Sequence, residues 1–160
     1  MAVDDGSVIL AAGEGKTVSF SGNRVTSIHG QPGGAYSMVE WVSGPGIPGT
    51  PLHIHAATDE AFYVLEGTFG FQAGERMFEG AAGAFVFVPK GLEHAYWNVD
   101  TTPSKMLITI SPSGFERYFE ELAEGLAQAG DDAEAAMRVR KGLSGKYDIE
   151  VVGPPRTVTN

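Results

Sequence analysis

The chain has 160 residues, 42% hydrophobic and 19% charged, the make-up of one globular domain with a sizeable core. Its net charge of −9 argues against nucleic acid, whose binding rests on clustered Lys and Arg, and against anionic membrane surfaces. The absence of cysteine excludes disulfides, thiolate zinc sites and cysteine nucleophiles. The opening Met1-Ala-Val-Asp-Asp-Gly6 lacks the basic region and apolar core of a signal peptide, and no stretch has the apolar length of a membrane span. A cytoplasmic protein is the expectation.

The first thirty residues read as short strands and turns, beginning with the apolar Val8-Ile9-Leu10. Thr17–Phe20 and Val25–Ile28 flank a Ser21-Gly22-Asn23 turn and predict a hairpin. Gln31-Pro-Gly-Gly34 is another turn, and Tyr36–Val42 a strand rich in aromatic and apolar residues. Prolines and glycines keep Gly44–Pro51 irregular. Short strands then follow at Ala61–Leu65, Thr68–Gln72, Arg76–Phe78, Ala84–Val88, His94–Val99 and Met106–Ile110. Ala84–Val88 is apolar on both faces, the pattern of a strand buried between layers. No helix fits before residue 112, so a parallel α/β sheet is excluded and a sandwich or jelly-roll barrel is expected.

Beyond Pro112 the character changes. Ser113 and Glu116 predict a capping box, and Phe115, Phe119, Leu122 and Leu126 recur at helical spacing. Gly130 ends that helix. Asp131 or Asp132 caps a second one running to about Arg140, with Gly142 and Gly145 beyond it. Tyr147–Val152 reads as a last short strand, and Gly153-Pro-Pro155 as the start of a loose tail.

Three of the four histidines and one glutamate fall in two spaced motifs. The first runs from Gly49 through His53-Ile-His55 and Glu60 to Gly67. The second runs from Gly83 through Pro89, Gly91 and His94 to Asn98. Imidazole nitrogens with a carboxylate oxygen form a ligand set for a divalent transition metal. Residues two apart on a strand share a face, so His53 and His55 project together while Ile54 points away. Glu60 has the wrong parity for an unbroken strand, so Ala56–Asp59 must bulge or turn if Glu60 is to rejoin them. Parity alone prefers Asp59, which stays open as the alternative ligand. His94 must come from a different strand, aimed inward by the turn at Pro89-Lys-Gly91. His29 has no partner in either motif and reads as surface or structural.

These residues resemble the two signature motifs of the cupin superfamily, G-x5-H-x-H-x3,4-E-x6-G and G-x5-P-x-G-x2-H-x3-N. The second is matched throughout from Gly83 to Asn98, and the first from His53 to Gly67. The first motif's leading glycine is displaced: Ile47 stands at its place, with Gly46 and Gly49 on either side. The resemblance implies an all-β cupin jelly-roll barrel with a C-terminal helical extension. It spans residues 1–160 as a single domain, with the barrel over about 8–112 and the helices and tail over about 113–160. It also implies one divalent metal per chain (Fe, Ni, Mn, Co, Cu or Zn) held by His53, His55, Glu60 and His94, and a homodimer. Gly34–Glu40, the run ending at Gly67, Ser111–Glu116 and Tyr147–Pro155 look like single-domain cupins similar to quercetin 2,3-dioxygenase.

Four protein ligands leave an octahedral ion two open positions, enough for a bidentate substrate or for substrate plus dioxygen. Three neutral imidazoles and one carboxylate leave a divalent ion at +1, favouring an anionic oxygen donor such as an enolate or flavonolate. Glu60 has a second role to offer, taking the hydroxyl proton of an arriving substrate as general base. The strand pattern turns Phe62, Val64, Tyr96 and Asn98 toward a substrate pocket, and Tyr36, Met38 and Trp41 on a neighbouring strand, whose facing it leaves open, are the further candidates; Asn98, closing the second motif, also reads as securing a turn or hydrogen bond. Such a pocket suits a planar, mostly apolar ligand. The leading expectation is a dioxygenase of flavonol-like or other enolisable aromatic or polyketide compounds. Behind it stand a metal-assisted isomerase, cyclase or decarboxylase that uses no O₂, and a non-catalytic small-molecule-binding cupin.

Overall fold

The computed structural model describes residues 7–156; the opening hexapeptide and residues 157–160 lie outside the described residues. Eleven strands form two antiparallel sheets, and two helices sit between the tenth strand and the last. The strands in chain order are β1 (Lys16–Phe20), β2 (Asn23–Gly30), β3 (Ser37–Ser43), β4 (Leu52–His55), β5 (Asp59–Glu66) and β6 (Thr68–Ala73). They continue with β7 (Arg76–Ala81), β8 (Phe85–Val88), β9 (His94–Asn98) and β10 (Ser104–Ser111). Helices α1 (Glu116–Ala129) and α2 (Ala133–Lys146) precede β11 (Ile149–Gly153). One sheet has the order β1-β2-β3-β10-β5-β8 and the other β11-β4-β9-β6-β7. The architecture is the expected two-sheet jelly roll with a helical extension.

Alternation along the strands makes the core. On β3, Ser37, Val39, Trp41 and Ser43 are buried while Met38, Glu40 and Val42 lie on the outer face. On β10, Ser104, Met106, Ile108 and Ile110 turn inward the same way. They meet Phe69 and Phe71 from the opposite sheet, along with Phe62 and Val64. The stripe Phe115, Phe119 and Leu122 packs α1 onto this sandwich, with Phe119 5.7 Å from Trp41 and 6.4 Å from Phe20, centroid to centroid. Gly67, at φ +72, admits no side chain because a Cβ there would collide with Ser104 Oγ.

Several local expectations are corrected. Val8, Ile9 and Leu10 are exposed and form no strand, because no sheet edge receives them. Strand β8 pairs with β5 alone and is an edge, so Phe85 and Phe87 point outward rather than between layers. The Ser113 hydroxyl does not cap α1 but donates to the carbonyls of Gln31 and Gly34, tying down that turn. Glu116 accepts instead from Gly114 N–H. Asp132 is the cap of α2, accepting from Ala135 N–H at 2.9 Å. That helix runs through Gly142 and Gly145 to Lys146, since packing tolerates two glycines at about 1 kcal/mol each. The tail is fastened as far as Arg156, which accepts from Gly49 N–H and donates to Gln72.

Candidate metal centre

The chain breaks after β4, at Ala56–Thr58, and resumes as β5 in the other sheet. That break solves the parity problem: Glu60 faces inward from the six-stranded sheet toward three histidines of the five-stranded one. Asp59 points elsewhere, its carboxylate accepting from Lys90 N–H at 2.8 Å and bracing the turn before His94. His53 and His94 are register partners across β4 and β9. The ligand atoms of His53, His55, Glu60 and His94 all lie within 4.8 Å of one another, and all four residues are buried. Such a cluster could hold one metal ion.

Second partners orient the rings. Nδ1 of His53 lies 2.8 Å from Pro51 O, that of His94 3.0 Å from Leu92 O, and that of His55 3.2 Å from Asp148 O. A carbonyl only accepts, so each Nδ1 carries a proton; Nε2 of His53 and of His55 is then free to bind, while Nε2 of His94, which faces Glu60, carries a proton in the metal-free protein that an ion would displace. Nε2 of His94 sits 2.7 Å from Glu60 Oε2. Nε2 of His55 is 3.8 Å from the same oxygen and, although buried, has no hydrogen-bond partner. A buried unpaired acceptor is costly unless something else fills its lone pair, and an ion among these four residues does so. The donor set therefore fits a divalent transition metal, without choosing among them.

Electrostatics agree with that reading. Burial, followed by the neighbouring imidazole of His94, lowers the His53 pKa to about 4, so its ring is neutral at pH 7. Burial likewise lowers His55. Burial pushes Glu60 up, but the hydrogen bond from His94, with the electrostatic pull of the surrounding histidines behind it, outweighs it and leaves the carboxyl below its usual range. For His94, burial is overcome by the hydrogen bond to Glu60 and its charge, so the net shift is upward. Burial, with Glu60 second, raises the Tyr96 phenol and keeps it neutral.

Three members of the cluster, His53, His55 and Glu60, line the buried part of a cavity of about 540 Å³. Trp41 and Tyr96 line it, meeting edge to face at 5.4 Å. The other residues assigned to a pocket lie elsewhere. Phe62 and Val64 are inward but deeper, in the core, with Phe62 5.3 Å from Tyr96. Asn98 is buried and secures the turn after β9, the other role its place in the motif offered, donating to the carbonyls of Ser43, Gly44 and Thr102 and accepting from Asp100 N–H and Ser104 Oγ. Met38 is on the outer face of β3, and Tyr36 is exposed beside His29, 5.0 Å away. Instead, Phe115, Tyr118, Phe119 and Leu122 from α1 and Ile149 and Val151 from β11 complete the wall. Helical periodicity identifies the α1 stripe, which serves both readings open to it, packing on the core and covering one mouth of the barrel. Of the two glycines that bracket the first motif's leading position, Gly49 is sterically required: its backbone runs so close to Tyr96 and Trp97 that a Cβ would collide with them.

With this geometry in view, residues 39–110 match the family model described as "Cupin domain". The chain carries a cupin domain and has the cupin fold. Among solved structures it is similar to KdgF from Halomonas sp., at 19% identity and TM-score 0.60 over 67% of this chain and 94% of that one. It is also similar to an RmlC-like cupin from Shewanella frigidimarina, at 19% identity and TM-score 0.59 over 67% and 92%. The polyketide cyclase RemF from Streptomyces resistomycificus matches at 20% identity and TM-score 0.57 over 64% and 78%. No curated protein matches the sequence. At such identities the likeness speaks to the fold alone. No helix among the described residues is long and apolar enough to cross a membrane.

Proposed function

We propose that this chain is a metal-dependent enzyme acting on an enolisable, largely aromatic small molecule such as a flavonol or polyketide, and that its reaction is dioxygenation. One observation carries the reading: a buried His53/His55/Glu60/His94 cluster, with an unsatisfied nitrogen at His55, three of whose members line the buried part of an aromatic-walled cavity. A divalent ion held by these four residues would supply Lewis acidity and, if redox-active, a path for electrons to O₂. The chain's own residues do the rest. Trp41, Tyr96 and Phe119 offer ring faces and edges that orient a planar substrate and exclude water. Glu60, its carboxyl held below the usual range, is ionised at neutral pH and takes the substrate's hydroxyl proton at Oε2. The cysteine-free sequence supports a cytoplasmic setting. The exposed aromatic edge at β8 supports a homodimer as the working unit.

A second reading, metal-assisted isomerisation, cyclisation or decarboxylation, is supported by the same Glu60, because a buried carboxylate base needs no O₂. The polyketide cyclase among the fold's relatives has the same barrel. The test is oxygen uptake by the metal-loaded protein with a panel of flavonols and enolisable phenols, followed by mass spectrometry of products. Uptake, with both atoms of labelled O₂ recovered among the products, is the expected result. Products formed without uptake overturn dioxygenation in favour of the second reading. Tight binding with no product from any compound overturns both and leaves a binding protein.

A further inference from the structure

The cavity changes chemistry along its length. Apolar and aromatic side chains make up most of its wall, and at its solvent side lie Ser21, Asn23, Ser144 and the exposed Arg140. Arg140 is the one cationic side chain among the lining residues. Its Nη2 donates to Ser21 Oγ at 3.1 Å, which leaves most of its five N–H donors for another partner. Two residues earlier on α2, Arg138 pairs with Asp132 and Glu134, whereas no carboxylate among the described residues lies within ion-pair distance of Arg140. Other arginines, such as Arg24, Arg76 and Arg117, also lack a carboxylate among the described residues within ion-pair distance, but among the residues lining this cavity Arg140 is the one that sets a free guanidinium beside an aromatic wall. Its charge is felt inside: burial raises the Tyr118 phenol on the cavity wall, and Arg140 opposes that rise.

We infer that Arg140 receives a carboxylate at the far end of the ligand. The ligand class is then an amphipathic aromatic acid, with an enol or phenol at one end, an apolar body, and an anionic group at the other. This rests on the proposal above that the oxygen-bearing end seats at the histidine–glutamate cluster. A guanidinium matches a carboxylate with two parallel N–H···O bonds, which a lysine cannot reproduce. Arg140 lies outside residues 39–110, so this selectivity belongs to the helical extension rather than to the matched cupin domain.

The experiment uses the full-length, zinc-loaded protein and a matched pair of probes: a naphthol bearing a carboxylate on the far ring, and its methyl ester. Binding is read from quenching of tryptophan fluorescence, since Trp41 lines the cavity. The acid should bind roughly tenfold more tightly than the ester, as for a charge-assisted pair at a partly exposed rim. Arg140→Gln should abolish that preference while leaving ester affinity unchanged, and Arg140→Lys should retain only part of it. Arg138→Gln should preserve it in full. Equal binding of acid and ester by the unaltered protein, or a preference that survives Arg140→Gln, overturns the inference. Because turnover is not measured, the two proposals fail separately. Loss of preference in Arg140→Gln without any oxygen uptake removes only the dioxygenase, and oxygen uptake with an unchanged preference removes only the role of Arg140.

Discussion

His55 donates from Nδ1 to the carbonyl of Asp148, a residue 93 positions further along the chain. The same Asp148, at φ +56, accepts from Ala57 N–H at 2.7 Å through its carboxylate. It therefore braces both a candidate ligand and the break that brings Glu60 inward. The helical extension is joined to the site at this point, since β11 also pairs with β4 in register Ile149 to His55.

Replacing Asp148 with alanine removes the Ala57 bond and puts a Cβ residue without local compensation in the left-handed region, which favours Asn and Asp. Outer partners of metal-binding histidines are typically worth ten- to a hundredfold in metal affinity, though Asp148 reaches His55 through its backbone. Asp148→Ala should therefore weaken zinc binding about tenfold in competition with a chelator. Asp148→Asn, which tolerates the conformation and can still accept from Ala57, should lose much less. Unchanged affinity in both variants would detach the extension from the site.

Metal content after purification checks the ligand set directly. His53→Ala, His55→Ala, Glu60→Ala and His94→Ala should each lose most bound metal, because each removes one of four convergent donors. His29→Ala should keep it, since that ring packs on Tyr36, outside the cluster. Asp59→Ala should also keep it and lose about 1 kcal/mol of stability with the Lys90 bond. Metal retained in Glu60→Ala but lost in Asp59→Ala would reverse the assignment.

What could be read from the sequence follows the reach of the forces involved. Period-two alternation and glycine turns are local, so the jelly roll and the pairing of His53 with His55 were visible. The choice between Glu60 and Asp59 was not, because it depends on how the chain breaks after His55. Distant contacts from Asp148 to Ala57 and from Lys90 to Asp59 set that break. Phe62 and Trp41 both occupy inward positions, and only depth in the barrel separates core from cavity wall. Alternation carries no information about depth. Phe85 and Phe87 misled for a related reason: an apolar run looks buried whether its strand is central or at an edge.

That edge yields a prediction about assembly. Tyr63 and Phe85 are register partners across β5 and β8, and Tyr63, Phe85 and Phe87 are 46%, 63% and 54% exposed. These uncharged side chains let two copies of a strongly acidic chain meet without opposing like charges. The unaltered protein is expected to run as a dimer in light scattering, and the double variant Phe85→Glu with Phe87→Glu as a monomer at the same concentration, with metal content unchanged. A dimer that persists in the variant would move the interface elsewhere.

The pH dependence of the metal-free protein follows from His53. In the unfolded chain its imidazole takes up a proton near pH 6.5, whereas the buried ring does so only near pH 4. Between those values the unfolded state binds more protons, so stability falls as pH drops through this window. For this residue the loss is at most about 3 kcal/mol, complete near pH 4. His55, also lowered by burial, acts in the same direction. The raised His94 gives stability that is fully present below pH 6.5 and lost as pH rises through its folded value. The lowered Glu60 gives stability that is present above pH 4.5 and lost as pH falls through its folded value. Subtracting urea midpoints of His53→Gln from those of the unaltered protein, both metal-free, isolates the first contribution. The difference should decline steadily in the unaltered protein's disfavour from pH 6.5 to 4 and level off outside that range. A difference independent of pH would mean that the His53 ring is already protonated in the folded chain, and hence that burial does not hold it neutral and ready for metal.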